Sequence, residues 1–126
     1  MNEDFVPFEL AVKLKEKGFE CSYPFAMYNK KGVFHECYTS VGNMQYYDYD
    51  DFDEKDYIAP TISQVLKWLR KEKKIHIVID FDGGMGWYYQ IALYGLTTHE
   101  KESEHKYNSY EQAALAGIED VHDNLI

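Results

Sequence analysis

The amino-acid sequence predicts an α+β fold in a single domain, residues 1–126, with its elements in the order α-β-β-α-β-β-α. Three segments place apolar residues three and four positions apart, which is typical of amphipathic helices. Between residues 75 and 94 apolar and polar residues alternate, as they do in half-buried strands. Short glycine-containing turns join neighbouring strands, so the sheet is predicted to be an antiparallel four-stranded meander with the helices packed mainly on one face.

The composition is that of a globular protein and disfavours several classes of function. Of the 126 residues, 45% are hydrophobic and 17% aromatic, and the formal net charge is −9. This charge repels a phosphate backbone, so direct nucleic-acid binding is disfavoured. The sequence has no apolar run of about 18 residues and begins with an acidic segment, so we expect neither a membrane span nor a signal peptide, and a cytoplasmic location.

The first helix is predicted over residues 7–17, with Gly18 as its left-handed cap. A hairpin follows, and its turn at residues 30–32 requires a positive φ at Gly32. The alternation predicts an inward face with Phe25, Met27, Val33, His35 and Cys37. The outward face is predicted to carry Tyr28, Phe34, Glu36 and Tyr38.

Residues 46–57, YYDYDDFDEKDY, carry a net charge of −5 and are interpreted as a loop. The second helix is predicted to begin at Thr61, because Thr61 and Gln64 have the spacing of a capping box. Basic residues crowd its last turn, 70–74, where they face the negative end of the helix dipole. The dipole accounts for this basic run better than a nucleic-acid patch does.

The second hairpin is predicted from residues 75 to 94, with its turn in the sequence DGGMG at 82–86. Its buried face would carry Ile75, Ile77, Ile79, Phe81, Trp87, Tyr89, Ile91 and Leu93. Its outer face would carry His76, Val78, Tyr88, Gln90, Ala92 and Tyr94. A polar loop, 97–106, leads to a last helix that begins at Ser109 and in which Gly117 permits close packing.

Three segments resemble a known family. The runs APTISQVLKWLR (59–70), WYYQI (87–91) and YNSYEQAALAGIEDVHDNLI (107–126) are similar to small uncharacterised proteins common in Bacteroides-group gut bacteria, their phages and mobile elements. The opening PFELAVKLKEKGF (7–19) resembles the same family. These motifs are helix starts and core positions, so the resemblance implies a phage or mobile-element setting and assigns no activity.

Three groups of residues could carry chemistry, and each has a simpler interpretation. The acidic loop offers oxygen ligands, but an EF-hand starting at Asp48 would need Gly and Glu at positions six and twelve, where Asp53 and Ala59 stand. His35, Cys21 and Cys37 lack the repeated close pairs of a zinc site. An acid–base cluster could form from His99, Glu100, Glu102, Glu104 and His105, or from Asp80 and Asp82, but charged loops are usually solvated. We therefore predict no catalytic residue, no metal and no cofactor.

The excess of tyrosine and acidic residues favours a non-enzymatic protein-binding module that uses the outer sheet face and the acidic loop. Its partner would be a basic protein or a second copy of the chain. The predicted contact residues are Tyr28, Phe34, Tyr38, Tyr47, Tyr49, Asp50, Asp51, Asp53, Tyr88 and Tyr94. Two alternatives stay open: an acidic mimic of nucleic acid that sequesters a DNA-binding protein, and a small enzyme that uses His99, His105, Asp80 or Asp82.

Overall fold

The computed structural model describes residues 4–21, 24–36, 56–95 and 101–126. It confirms the α+β class, with helices and antiparallel strands in an order that follows the predicted one. The chain divides into two compact units, Met1–Thr61 and Ile62–Ile126. A single domain can contain two such units, so the prediction of one domain stays a prediction.

The first unit contains helix α1 (Phe8–Glu16) and three short strands, β1 (Ala26–Tyr28), β2 (Phe34–Glu36) and β3 (Tyr57–Ile58). The strands form an antiparallel sheet in the order β2-β1-β3. Gly18 has a φ of 87° just after α1, and Gly32 has a φ of 84° in the β1–β2 turn. Both glycine predictions are confirmed.

The predicted faces of the first hairpin are wrong for Tyr28 and Phe34. Tyr28 is only 2% exposed and belongs to the core under α1, where Phe34 also packs. Its ring meets Phe8 edge to face at 5.4 Å, and its hydroxyl donates a 2.6 Å hydrogen bond to the Val6 carbonyl. Aromatic residues lie on both faces of this hairpin, and β1 is buried on both faces, so Met27 is buried as predicted while Tyr28 packs under α1 through its ring and its hydroxyl. Phe25, at 57% exposed, lies outside instead.

The second unit begins after Thr61 with helix α2 (Ile62–Trp68), which continues as a π-helical turn, Leu69–Lys73. Strands β4 (Ile75–Asp82), β5 (Gly86–Leu93) and β6 (Lys101–Glu102) then form an antiparallel sheet in the order β4-β5-β6. The prediction of one four-stranded meander is therefore wrong. Each hairpin pairs with a short third strand, β3 or β6, in a segment that its polar composition had predicted to be a loop.

Helix α3 (Tyr110–Asn124) packs against β4 and β5 on the face of the sheet that carries Ile77 and Tyr89. Ser109 caps it as predicted, because its hydroxyl accepts a 3.1 Å hydrogen bond from the Gln112 N–H. A Cβ at Gly117 would lie 3.0 Å from Ile77 Cγ2, so the predicted close approach is confirmed. No helix in the described ranges is long and apolar enough to cross a membrane.

Candidate functional site

The turn end of the β4–β5 hairpin carries side-chain groups on both faces of the sheet. The register pairs Phe81 with Trp87 and Asp82 with Gly86. Gly86 has a φ of 132°, and a Cβ there would lie 2.9 Å from the Tyr107 carbonyl oxygen. Only glycine therefore lets the chain at Tyr107 approach, where it exchanges two backbone hydrogen bonds with Trp87 at 2.9 and 3.0 Å.

On the face towards α3 lies a group that we call the aromatic tip, Phe81, Trp87 and Tyr110, and Met85 lies in the adjoining turn. The ring centroids of Phe81 and Trp87 are 5.0 Å apart, and those of Trp87 and Tyr110 are 6.0 Å apart. Phe81 is 54% and Met85 71% exposed. The sequence pattern predicted that Phe81 is buried, but α3 begins only at Tyr110, and Phe81 is left uncovered. The sequence contained one clue to this exposed apolar surface: Met85 stands in a hairpin turn, where polar residues are usual.

On the opposite face lies a second group, which we call the histidine clasp: Asp82, Tyr88, Glu102 and His105. The His105 ring donates to Asp82 Oδ2 through Nδ1 at 2.8 Å and to Glu102 Oε2 through Nε2 at 3.0 Å. Tyr88 stacks on the imidazole, with centroids 3.7 Å apart and planes 12° apart. The clasp therefore ties the hairpin turn to β6 and the segment after it.

The clasp favours the charged form of His105. The hydrogen bond to Asp82, and then that to Glu102, raise the pKa of His105, and the same bond from His105 lowers the pKa of Asp82. A general base needs an unprotonated ring nitrogen that faces the substrate. In this structure both nitrogens of His105 face carboxylates, so the ring links two segments of the chain.

Of the other residues of the predicted acid–base clusters, the structure describes Asp80 and Glu104, and Asp80 interacts with Tyr88 of the histidine clasp. Asp80 accepts a 2.8 Å hydrogen bond from the Phe81 N–H. Glu104 is exposed and lies 3.7 Å from the Lys106 ammonium group. His99 and Glu100 lie outside the described residues. Within the described ranges, no group of three or more His, Cys, Asp or Glu side chains is arranged to hold a metal ion.

A polar network that the sequence did not reveal joins the sheet to α3. Asp120, whose side chain is 8% exposed, accepts hydrogen bonds from the Tyr89 hydroxyl at 2.5 Å, Lys101 Nζ at 2.7 Å and Asn124 Nδ2 at 2.7 Å. Burial raises the pKa of the Asp120 carboxyl, but these three donors outweigh it and lower the pKa. Burial and the bond to Asp120 raise the pKa of Tyr89. The network holds β5, β6 and α3 together behind the aromatic tip.

The predicted contact residues are distributed over different environments. Tyr88 is half-buried in the clasp, and Tyr94 is 84% exposed at the end of β5. Tyr28 and Phe34 belong to the core of the first unit, as described above. The other predicted contacts lie outside the described residues: Tyr38, Tyr47, Tyr49, Asp50, Asp51 and Asp53.

Comparison of the chain with protein-family models, with curated proteins and with solved structures gave no match.

Proposed function

We propose that this protein is a non-enzymatic protein-binding module and that its partner docks on the aromatic tip. One observation carries the proposal: Phe81, Trp87 and Tyr110 form a continuous ring cluster that the protein's own helix α3 covers only in part. Contiguous exposed apolar surface of this kind is characteristic of interaction sites. Aromatic residues also dominate the energetic centres of protein interfaces.

The tip is held in place before a partner arrives. Trp87 is fixed by its two backbone hydrogen bonds to Tyr107, and the turn next to it is fixed by the clasp between Asp82 and His105. A surface that does not have to be ordered on binding loses less entropy, so more of the contact energy appears as affinity. Met85 adds a flexible side chain that adapts to the shape of a partner.

The charges around the tip favour a basic partner. Glu111 follows Tyr110 at the start of α3, and the whole chain has a net charge of −9. Acidic residues at the rim of an apolar contact attract Lys and Arg side chains and accelerate association. The proposal therefore commits to a protein partner with an apolar segment flanked by basic residues. It also includes the phage or mobile-element setting, which the family resemblance implies, and the cytoplasmic location, which was inferred from the sequence.

Photo-crosslinking from the turn beside the aromatic tip tests the proposal. A photoreactive phenylalanine replaces Met85 in the host cell, the captured protein is identified by mass spectrometry, and its affinity for the purified wild-type chain is then measured. We expect Phe81→Ser and Met85→Ser each to weaken binding by about tenfold or more. Phe25→Ser is the matched control, because Phe25 has a similar exposed fraction but lies in the first unit.

Two outcomes would contradict this function. One is that no protein crosslinks through position 85 while a photoreactive residue at position 25 captures a partner. The other is that Phe25→Ser weakens binding as much as Phe81→Ser does.

A further inference from the structure

Strand β4 lies at the edge of its sheet and presents unpaired backbone groups there. The Tyr94 N–H donates to the Lys74 carbonyl at 3.0 Å, so even-numbered residues of β4 exchange hydrogen bonds with β5. The N–H and C=O groups of Ile75, Ile77 and Ile79 therefore point away from β5. Within the described ranges, β4 pairs with no strand on that side.

An edge of this kind is a template for another strand. At eight residues β4 is longer than an average strand. The residues whose backbone N–H and C=O groups point away from β5 include three isoleucines, which favour strand pairing. The structure protects one point of the edge, where the Asp80 carboxylate accepts the Phe81 N–H at 2.8 Å. Among the described residues, the backbone groups of Ile77 and Ile79 form no hydrogen bond with a side chain.

We propose that β4 pairs in antiparallel fashion with β4 of a second copy of the chain, about a two-fold axis at Val78. In this register Ile77 lies opposite Ile79 of the second copy and exchanges both backbone hydrogen bonds with it. Ile75 lies opposite Phe81 of the second copy, which adds apolar contact to that half-exposed ring. The β4-β5-β6 sheets of the two copies then form one continuous sheet of six strands. This inference goes beyond the proposed function, because it rests on the backbone of β4 and needs no other protein.

The basic and acidic residues of β4 favour a second copy of the chain as the partner strand, and they favour one register of the two β4 strands. Basic side chains lie at one end, His76 in the strand and Lys74 just before it, and acidic side chains lie at the other end, Asp80 and Asp82. Antiparallel pairing about Val78 places His76 opposite Asp80 of the second copy, and Lys74 opposite Asp82. Opposite charges facing each other across strands stabilise a sheet. A two-fold axis at Ile79 would instead place Asp80 opposite the apolar Val78 of the second copy. The basic and acidic positions of the two strands therefore match when the axis lies at Val78.

A cysteine at the axis tests the geometry. In Val78→Cys the two new thiols would belong to a non-hydrogen-bonded cross-strand pair with Cα atoms about 4.5 Å apart, within the range of a disulfide. We expect oxidation to give a covalent dimer in which peptide mapping finds position 78 of one copy joined to position 78 of the other. Gln90→Cys is the matched control, since residue 90 pairs with Val78 on β5. Its two copies would lie about 14 Å apart, three strand spacings, which is too far for a disulfide.

Light scattering and sedimentation test the charges without crosslinking. We expect the wild-type chain to have twice its sequence mass and Asp80→Lys to raise the dimer dissociation constant about tenfold, because two symmetry-related pairs change together. Adding His76→Asp to Asp80→Lys exchanges the charges and should restore the dimer. Glu119→Lys, an exposed change of the same net charge on α3, should leave the dimer unchanged. Thermal unfolding of each variant checks that it is folded.

The proposal is overturned if the folded wild-type chain has its monomer mass up to the highest soluble concentration. It is also overturned if the Gln90→Cys variant crosslinks as readily as the Val78→Cys variant. A third contradicting outcome is that the chain does not self-associate and a strand from another protein protects the β4 amides from hydrogen exchange.

Discussion

His105 and Asp82 lie 23 residues apart in the sequence and are joined by a 2.8 Å hydrogen bond at the turn of the β4–β5 hairpin. The bond is strong because it joins charged partners, and each partner shifts the pKa of the other in the direction that favours its charged form. Because folding shifts the pKa of both groups, the stability of the protein should depend on pH.

The His105→Gln variant should lose the pH dependence that the clasp provides. The pKa of His105 in the folded chain is above its ordinary value of 6.5, so its stabilising effect is full below that value and is lost as pH rises through the folded pKa. The pKa of Asp82 is below its ordinary value of 3.8, so its effect is full above that value and is lost as pH falls through the lowered pKa. We therefore expect the difference in melting temperature between wild type and variant to be largest between these two ordinary values.

Thermal unfolding followed across this pH range measures the effect of the clasp. Tyr94→Phe, at an exposed position of the same hairpin, is the control and should show no such difference. A constant difference between wild type and His105→Gln at every pH would contradict the role given to the clasp.

Removing the Tyr89 hydroxyl should destabilise the protein, because Asp120 would lose one of three donors in a site that is almost closed to water. We expect Tyr89→Phe to lower the free energy of unfolding by about 1–3 kcal/mol. Tyr94→Phe removes an exposed hydroxyl and should change it by less than about 0.5 kcal/mol. Denaturant unfolding measures both values, and equal effects of the two changes would count against the network.

Gly117→Ala should destabilise the protein even though alanine is the better helix former. A Cβ at this position would lie 3.0 Å from Ile77 Cγ2 and 3.2 Å from Tyr89 Cγ. Overpacking of this kind costs about 1–3 kcal/mol, whereas the gain in helix propensity is about 1 kcal/mol. Gly83→Ala is the control, since its Cβ would meet only Phe81 Cε2 at 3.9 Å. A higher unfolding free energy for Gly117→Ala would show that α3 shifts easily.

The affinity of the captured partner should depend only weakly on salt. The aromatic tip makes its contacts through apolar side chains, and screening affects only the acidic residues around it. A mimic of nucleic acid predicts the opposite: a steep loss of affinity with salt and competition by duplex DNA. Titrations at several salt concentrations, with and without DNA, separate the two functions.

The two hairpins show how far the sequence pattern reaches. In the second hairpin one face is aliphatic, with Ile75 and Ile77, and the other carries His76 and Asp80, so the pattern correctly placed both isoleucines in the core. In the first hairpin Phe25 and Tyr28 lie on opposite faces, and either could be buried by composition. The contact of Tyr28 with α1 and with the Val6 carbonyl buries the Tyr28 face, while Met27 on the Phe25 face is buried as predicted.

The candidate site was predictable only in part, for the same reason. Asp82, Glu102 and His105 were recognised as titratable residues, but a polar loop carries no signal for the partner that each residue will meet. Their meeting depends on Gly86, which lets the chain at Tyr107 approach β5. Phe81 was predicted to be buried because alternation gives the face of the sheet on which a side chain lies. Alternation does not show how far the covering helix extends along that face, and α3 begins only at Tyr110.

The sequence by itself determined the α+β class through its periodic patterns. It also determined the positive φ of Gly18 and Gly32, the Ser109 cap and the close packing at Gly117, because these depend on local geometry. Only the tertiary structure decided that the strands divide between two sheets, that Tyr28 is buried and that Phe81 is exposed. These outcomes depend on which distant surfaces meet. The free energy of burying a face is set by the shape and polar groups of the surface packed against it, and a local pattern does not contain that surface.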